Sequence, residues 1–301
     1  MNKVTIGLPR GIYYYYYGDM CKYFFDYLGF NVVISPVTNR FIINEGIKYA
    51  NDEMCLSLKI LLGHVSYLQD KCDFLVVPRI DNFGKKDQTC TNFLAFYDII
   101  NNLFTINLLD FNIDYINLKT EKRAFMDMGR LLGINNKSTN NAYKKAKLRY
   151  NRDKRQAIFN NVDHLNSSRL KILIVGHPYN IYDDFIGKPV INILKNLNVE
   201  IIFCDKFNTD LTNKLSLHFS KTLYWKYSKE NIGAINLVLN KVAGIIFLTS
   251  FPCGLDCLVN ELVIRKISKP FLNLIIDDND AFTGLETRLE SFVDILEQVK
   301  N

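Results

Sequence analysis

The stretch AGIIFLTSFPCGLDCLVNEL, residues 243–262, holds a complete strand-to-helix junction. Its first eight residues are apolar as far as Leu248 and small and polar at Thr249 and Ser250. That is the length and character of a strand buried on both faces. The pattern breaks at Pro252, Cys253 and Gly254, and apolar residues then return at helical spacing. A strand that feeds straight into a helix is the unit of a parallel sheet, because parallel neighbours need a crossover. The junction also places a thiol, Cys253, at the strand's carboxyl end.

The same alternation extends outward. Before the junction, LKILIVG (170–176) and VEIIFC (199–204) read as strands, and DDFIGKPVINILKNLN (183–198) is helical in its second part. After it, PFLNLIID (270–277) is a strand and GLETRLESFVDILEQVK (284–300) an amphipathic helix. The first third repeats the theme. VTIGLP (4–9), NVVIS (31–35), DFLVVP (73–78) and FTINLL (104–109) read as strands. YYYYYGDMCKYFFDYLG (13–29), DEMCLSLKILLGHVSYLQ (52–69) and TNFLAFYDIINN (91–102) read as helices, the first closed by Gly29. Residues 118–168 carry no strand signal and are polar, basic and helical. The expected organisation is α/β: two Rossmann-like lobes with parallel sheets, 1–117 and 169–301, joined by a helical connector, 118–168.

Hydrophobic content of 48% and charged content of 23% are those of a globular chain that builds its own core. No run of 18 apolar residues is present, and the N-terminus reads as a first strand and not as a secretory signal, so the expected compartment is the cytoplasm. The net charge of +6 is concentrated: residues 137–155 hold eight Lys or Arg against one Asp, and the rest of the chain is close to neutral. With no nucleic-acid-binding signature beside it, this run reads as a solvated helical face rather than a nucleic-acid patch. A phosphate-cradling GxxxxGK[ST], a GxGxxG after the first strand and an HExxH are all missing.

Seven cysteines, an odd number in a reducing compartment, argue against a disulfide framework. Sites in open parallel sheets form beyond the strands' carboxyl ends. Cys55, Cys90 and Cys253 fall at that edge, each near a helix N-terminus where the dipole and unpaired N–H groups favour a thiolate. Cys21 lies inside an aromatic helix, Cys72 precedes a strand, and Cys204 ends one. Cys257 follows Cys253 by four residues and is a secondary candidate. Soft thiolates from separate segments suit zinc or iron–sulfur clusters, whereas a buried cysteine can equally be a small hydrophobe. His64 and His177 are further polar candidates: His64 reads as helix packing, and His177 shares the edge with the cysteines.

The blocks GLPRGIYYYYYGDMCKYFFDYLGFNVVIS, NDEMCLSLKILLGHVSYL, DFLVVPRI, GHPYNIYD, FPCGLDCLVNEL and KPFLNLIIDDNDAFTGLETRLESFVDIL, in this order, resemble the acyl-CoA dehydratase activase-related family. That family is related to the 2-hydroxyacyl-CoA dehydratase subunits and the double-cubane cluster proteins. The matching pattern falls on Glu53, Cys55, Lys59, Gly63 and His64, on Cys90 after the Val-Pro-Arg strand, and on Cys253, Gly254 and Asp256. The chain departs from the pattern at 277–280, where it reads DDND.

The resemblance implies that Cys55, Cys90 and Cys253 bind a [4Fe-4S] cluster in a cleft between the lobes, with a double-cubane [8Fe-9S] cluster as the alternative. Gly254 would let the backbone approach the cluster. Lys59, His64, Arg79 and His177 would donate hydrogen bonds to it or offset its charge. It implies an ATP-hydrolysing activase as electron donor, a small-molecule or acyl-CoA substrate, and a homo-oligomer or paralogous subunit as the working unit. Two functions follow: a dehydratase or low-potential reductase component, or a non-catalytic cluster carrier or regulatory partner of an activase.

Overall fold

A computed structural model of the chain describes residues 3–278 and 284–300. The chain forms two compact units. One comprises residues 1–153 and Tyr224–Lys226, and the other Lys154–Leu223 with Tyr227–Asn301.

In the first unit the order is β1 (Thr5–Leu8), a π-helical turn (Tyr14–Gly18) that continues into α1 (Asp19–Leu28), β2 (Asn31–Ile34), α2 (Arg40–Ile47), α3 (Leu56–Leu68), β3 (Phe74–Asn82), α4 (Thr91–Leu103) and β4 (Leu108–Asp114). The four strands form one parallel sheet in the order β2-β1-β3-β4. Two helices follow, α5 (Glu121–Leu131) and the 29-residue α6 (Asn136–His164). The boundary between the units falls inside α6, after Asp153.

The second unit repeats the plan. β5 (Lys171–Val175), α7 (Pro178–Ile181), α8 (Gly187–Asn196), β6 (Glu200–Phe203), α9 (Thr209–Ser216), α10 (Lys226–Val238), β7 (Gly244–Ser250), α11 (Gly254–Ile264), β8 (Phe271–Ile276) and α12 (Leu285–Lys300) succeed one another. The sheet order is β6-β5-β7-β8, again all parallel. Both units are therefore Rossmann-like lobes. Every residue of β7 is buried, as its unbroken apolar run requires. β8, at the edge, alternates, with Phe271 and Ile275 exposed.

The first unit's core is aromatic. Phe24, Phe25, Phe96, Phe111 and Phe125 are fully buried, and Phe125 meets Phe24 and Phe111 edge to face, centroids 4.9 and 5.1 Å apart. α2 and α3 cross at two glycines. A Cβ on Gly46 would lie 1.8 Å from the Lys59 carbonyl oxygen, and one on Gly63 1.9 Å from that of Ile42. The two backbones thus touch directly at positions where any side chain would hold them apart.

Several elements depart from the expectation. β4 occupies Leu108–Asp114 rather than 104–109. Asp110, Asn112 and Asp114 give its second half a loop-like composition, yet Leu109, Phe111 and Ile113 between them are fully buried, so it is a half-exposed edge strand. α3 begins at Leu56 and not near Asp52, because Asn51 accepts a hydrogen bond from the Met54 N–H and closes a turn first. α2, α9 and α10 carry no expectation from the pattern. Among the described residues no helix is long and apolar enough to cross a membrane.

Candidate functional site

A helix that feeds the amino end of a parallel strand starts at the sheet's carboxyl edge. α3 leads to β3, α4 to β4 and α11 to β8. Their N-cap residues are Cys55, Cys90 and Cys253. All three have extended backbone (ψ 150°, 157° and 93°) and are half-buried. N-caps normally carry Ser, Thr, Asp or Asn. Three other helices of this chain follow that rule: Asn39, Thr120 and Asn208 each accept a hydrogen bond from a first-turn N–H. At three caps on the carboxyl edges the side chain is a thiol instead.

The other four cysteines differ. Cys21 and Cys204 are buried, and desolvation pushes both thiols far up. Cys204 donates to the Gly176 carbonyl and to Asn231 Oδ1, at 3.3 and 3.2 Å. Burial raises Cys72 to about 11, and its Sγ donates to the Leu68 carbonyl at 3.4 Å. Cys257 is exposed and is pushed up by desolvation, then by the charges of Asp256 and Glu261. These four are held as thiols. In donor chemistry, three N-cap cysteines fit soft-metal ligation. Among the described residues, however, no three or more His, Cys, Asp or Glu side chains gather at metal-binding distance.

The loop before Cys90 is fastened from afar. The Gln88 N–H donates to the Tyr224 carbonyl and the Gln88 carbonyl accepts from the Lys226 N–H, both at 2.9 Å. Thr89 Oγ1 donates to the Ile80 carbonyl at 2.6 Å. Sequence reading gave no sign of this clamp, which comes from a three-residue segment far along the chain.

Arg79, in β3, forms a two-pronged ion pair with Asp98 of α4 at 2.6 and 2.9 Å and lies over the Tyr97 ring. Lys59 stands one helical turn beyond Cys55 and is half-buried. His64 is fully buried, with Nε2 3.1 Å from Thr38 Oγ1 and, among the described residues, no partner at Nδ1. Desolvation, with a smaller push from Arg10, lowers it to about 3. His64 is thus a neutral imidazole that offers hydrogen bonds but no charge. Around Gly254 a Cβ would meet nothing within 4 Å among the described residues. Of the DDND stretch, Asn279 and Asp280 lie outside the described residues.

His177 caps α7, just past the end of β5, and is buried. Its Nε2 lies 3.0 Å from Asp256 Oδ1, and its ring stacks on Tyr179 at 4.8 Å. Asp256, in the first turn of α11, is the site residue whose partner the sequence left unassigned. The only hint was its place three residues after Cys253.

In both sheets the chain passes from a central strand to one edge and returns on the other side. The gaps between β1 and β3 and between β5 and β7 are therefore topological switch points, where open α/β sheets bind ligands. Each unit has a cavity there. The first, about 30 Å³, is apolar and lined by Tyr13, Tyr17, Leu61, Val77 and Phe96, with the π-helical turn on one wall. The second is polar.

A family model described as CoA enzyme activase uncharacterised domain (DUF2229) matches residues 5–207. That span includes Cys55, Cys90 and His177 and stops short of Cys253. No curated protein matches the chain. Among solved structures, it is similar to the binding protein FpvC from P. aeruginosa in complex with Ni2+, at 12% identity over 99% of this chain and 97% of that one, with a TM-score of 0.30. It is also similar to a Cd-bound periplasmic metal binding protein from candidatus liberibacter asiaticus, at 9% identity over 98% and 99% of the two chains, with a TM-score of 0.32. Scores this low establish no shared architecture.

Proposed function

Since the chain belongs to the CoA enzyme activase uncharacterised domain family, we propose that it is an iron–sulfur protein that holds a [4Fe-4S] cluster through Cys55, Cys90 and Cys253. It accepts a low-potential electron from an ATP-hydrolysing activase and serves radical dehydration or reduction. The observation that carries this reading is the replacement of the usual capping residue by cysteine at three helix starts, all on carboxyl edges of the sheets.

When bound, such a cluster supplies a low-potential one-electron centre with one iron free of cysteine. The chain's own part is to prepare and surround the ligands. At each of the three caps the first-turn N–H groups and the helix dipole stabilise a thiolate, the form that ligates iron. The other cysteines, held protonated, do not compete. Neutral His64, in α3 itself, adds no positive charge there. His177 is fixed by Asp256 and Tyr179, so its orientation is set before any ligand arrives.

Purification without oxygen, followed by reconstitution with iron and sulfide, tests the proposal. The expected result is roughly four irons and four acid-labile sulfides per chain, with broad absorbance near 400 nm. Less than about one iron per chain after reconstitution ends the cluster reading, and roughly eight irons would favour the double cubane. Reduction of the loaded chain by an activase with ATP tests the electron step. Turnover of an acyl-CoA then separates an enzyme from a carrier.

A further inference from the structure

The polar cavity at the β5/β7 switch point lies wholly within the second unit. Its volume is about 10 Å³, and its wall includes Ser228 and Asn231 of α10, Thr249 of β7, and Asp256 and Asn260 of α11. Several of the polar groups on this wall are paired, either with one another or with a neighbour behind the wall. Asn231 Oδ1 accepts from the Cys204 thiol at 3.2 Å, and Asn260 Nδ2 donates to Thr249 Oγ1 at 3.3 Å. Among the described residues, Asp256 Oδ2 and Ser228 Oγ on this wall have no hydrogen-bond partner. Asp256 is 7% exposed and Ser228 2%.

Asp256 is the third residue of α11, counting from Gly254. An acid there can reach back to the N–H of the cap residue and close a capping box. Here Oδ1 goes to His177 instead, and Oδ2 stays buried without a donor among the described residues. A buried carboxylate oxygen left without a hydrogen bond is destabilising, and so is a buried hydroxyl. That both line one cavity points to one shared partner. A cavity of 10–15 Å³ has room for a single water, and water enters such a space when two or more polar atoms can hold it.

We propose that this cavity binds one water molecule that bridges Asp256 Oδ2 and Ser228 Oγ. The water donates one hydrogen to the carboxylate and exchanges a second hydrogen bond with the hydroxyl. It ties the first turn of α11, the turn that begins on Cys253, to α10. The bridge needs no metal, so it stands or falls independently of the cluster.

A high-resolution crystal structure of the metal-free full chain tests it directly. A water peak within hydrogen-bond distance of both oxygens is expected. An empty cavity, or an Asp256 side chain turned to a protein donor, overturns the proposal. In solution, Ser228→Ala gives an effect of opposite sign in the two cases. With water present the hydroxyl has a partner, and its loss lowers the thermal midpoint by about 2–4 °C. In a dry cavity the same change removes an unpaired hydroxyl and raises the midpoint. Exchanging sodium for potassium or tetramethylammonium at constant ionic strength should leave the wild-type midpoint unmoved. A shift specific to one ion would make the occupant a cation and reject water.

Discussion

His64 has one ring nitrogen on Thr38 and the other without a partner among the described residues, and its burial has a cost that depends on pH. Unfolded, a histidine titrates near 6.5, whereas folded His64 titrates near 3. The unfolded chain therefore takes up the proton first. This residue's contribution is intact above about pH 6.5 and drains away as the pH falls toward 3. Between pH 7 and 5 the wild type should lose about 2 kcal/mol through His64 alone. Urea unfolding of His64→Gln at both pH values should show a loss smaller by that amount. Equal losses in the two proteins would mean that His64 is not held neutral. At the cysteines, Cys55→Ala, Cys90→Ala and Cys253→Ala should each strip or degrade the reconstituted cluster. Cys21→Ala should keep its iron and cost about 1–2 kcal/mol of stability, as a buried truncation does. Iron retained in Cys253→Ala would remove the second unit from the ligand set.

Gly46 and Gly63 determine how α2 and α3 cross. Alanine is the better helix former by about 1 kcal/mol, yet each added methyl would run into a carbonyl oxygen across the interface. Gly46→Ala and Gly63→Ala should each destabilise by about 1–3 kcal/mol, measured by urea unfolding, because backbone cannot yield as a side-chain end does. A gain in stability would show that the crossing can open without cost. The strands of both sheets were legible because apolar runs bounded by turn residues announce themselves, and β4 slipped because its exposed face reads like a loop. Cys90 and Cys253 were legible at helix starts because each precedes a helix pattern, whereas Cys55 read as lying inside its helix until the turn at Asn51 moved the start to Leu56. The His177–Asp256 pair was not legible. It depends on β5 and β7 lying side by side, with Ile172 opposite Gly244, and that register lies in the pairing of strands rather than in either segment. The α2–α3 crossing was hidden for the same reason.

Across the molecule, positive charge concentrates on one helix. Parts of the basic run have structural partners: Lys147 pairs with Glu121 at 2.7 Å, and Arg149 and Lys145 lie over the rings of Tyr23 and Tyr27. Lys137 and Lys144 are exposed. If an acidic activase approaches this face, the double variant Lys137→Gln, Lys144→Gln should slow ATP-dependent reduction about two- to tenfold at low salt and little at high salt, with the thermal midpoint unchanged. Equal rates at low salt would take the helix out of docking. The clamp on Gln88 bears on how the protein is made. A ribosome that has released the whole first sheet still lacks Tyr224 and Lys226, so the strap that fastens the Cys90 loop arrives only after most of the polypeptide has been synthesised. The nascent chain thus carries the Cys90 loop with its local hydrogen bonds alone for much of translation, and finishing that part of the first unit is an event of late synthesis.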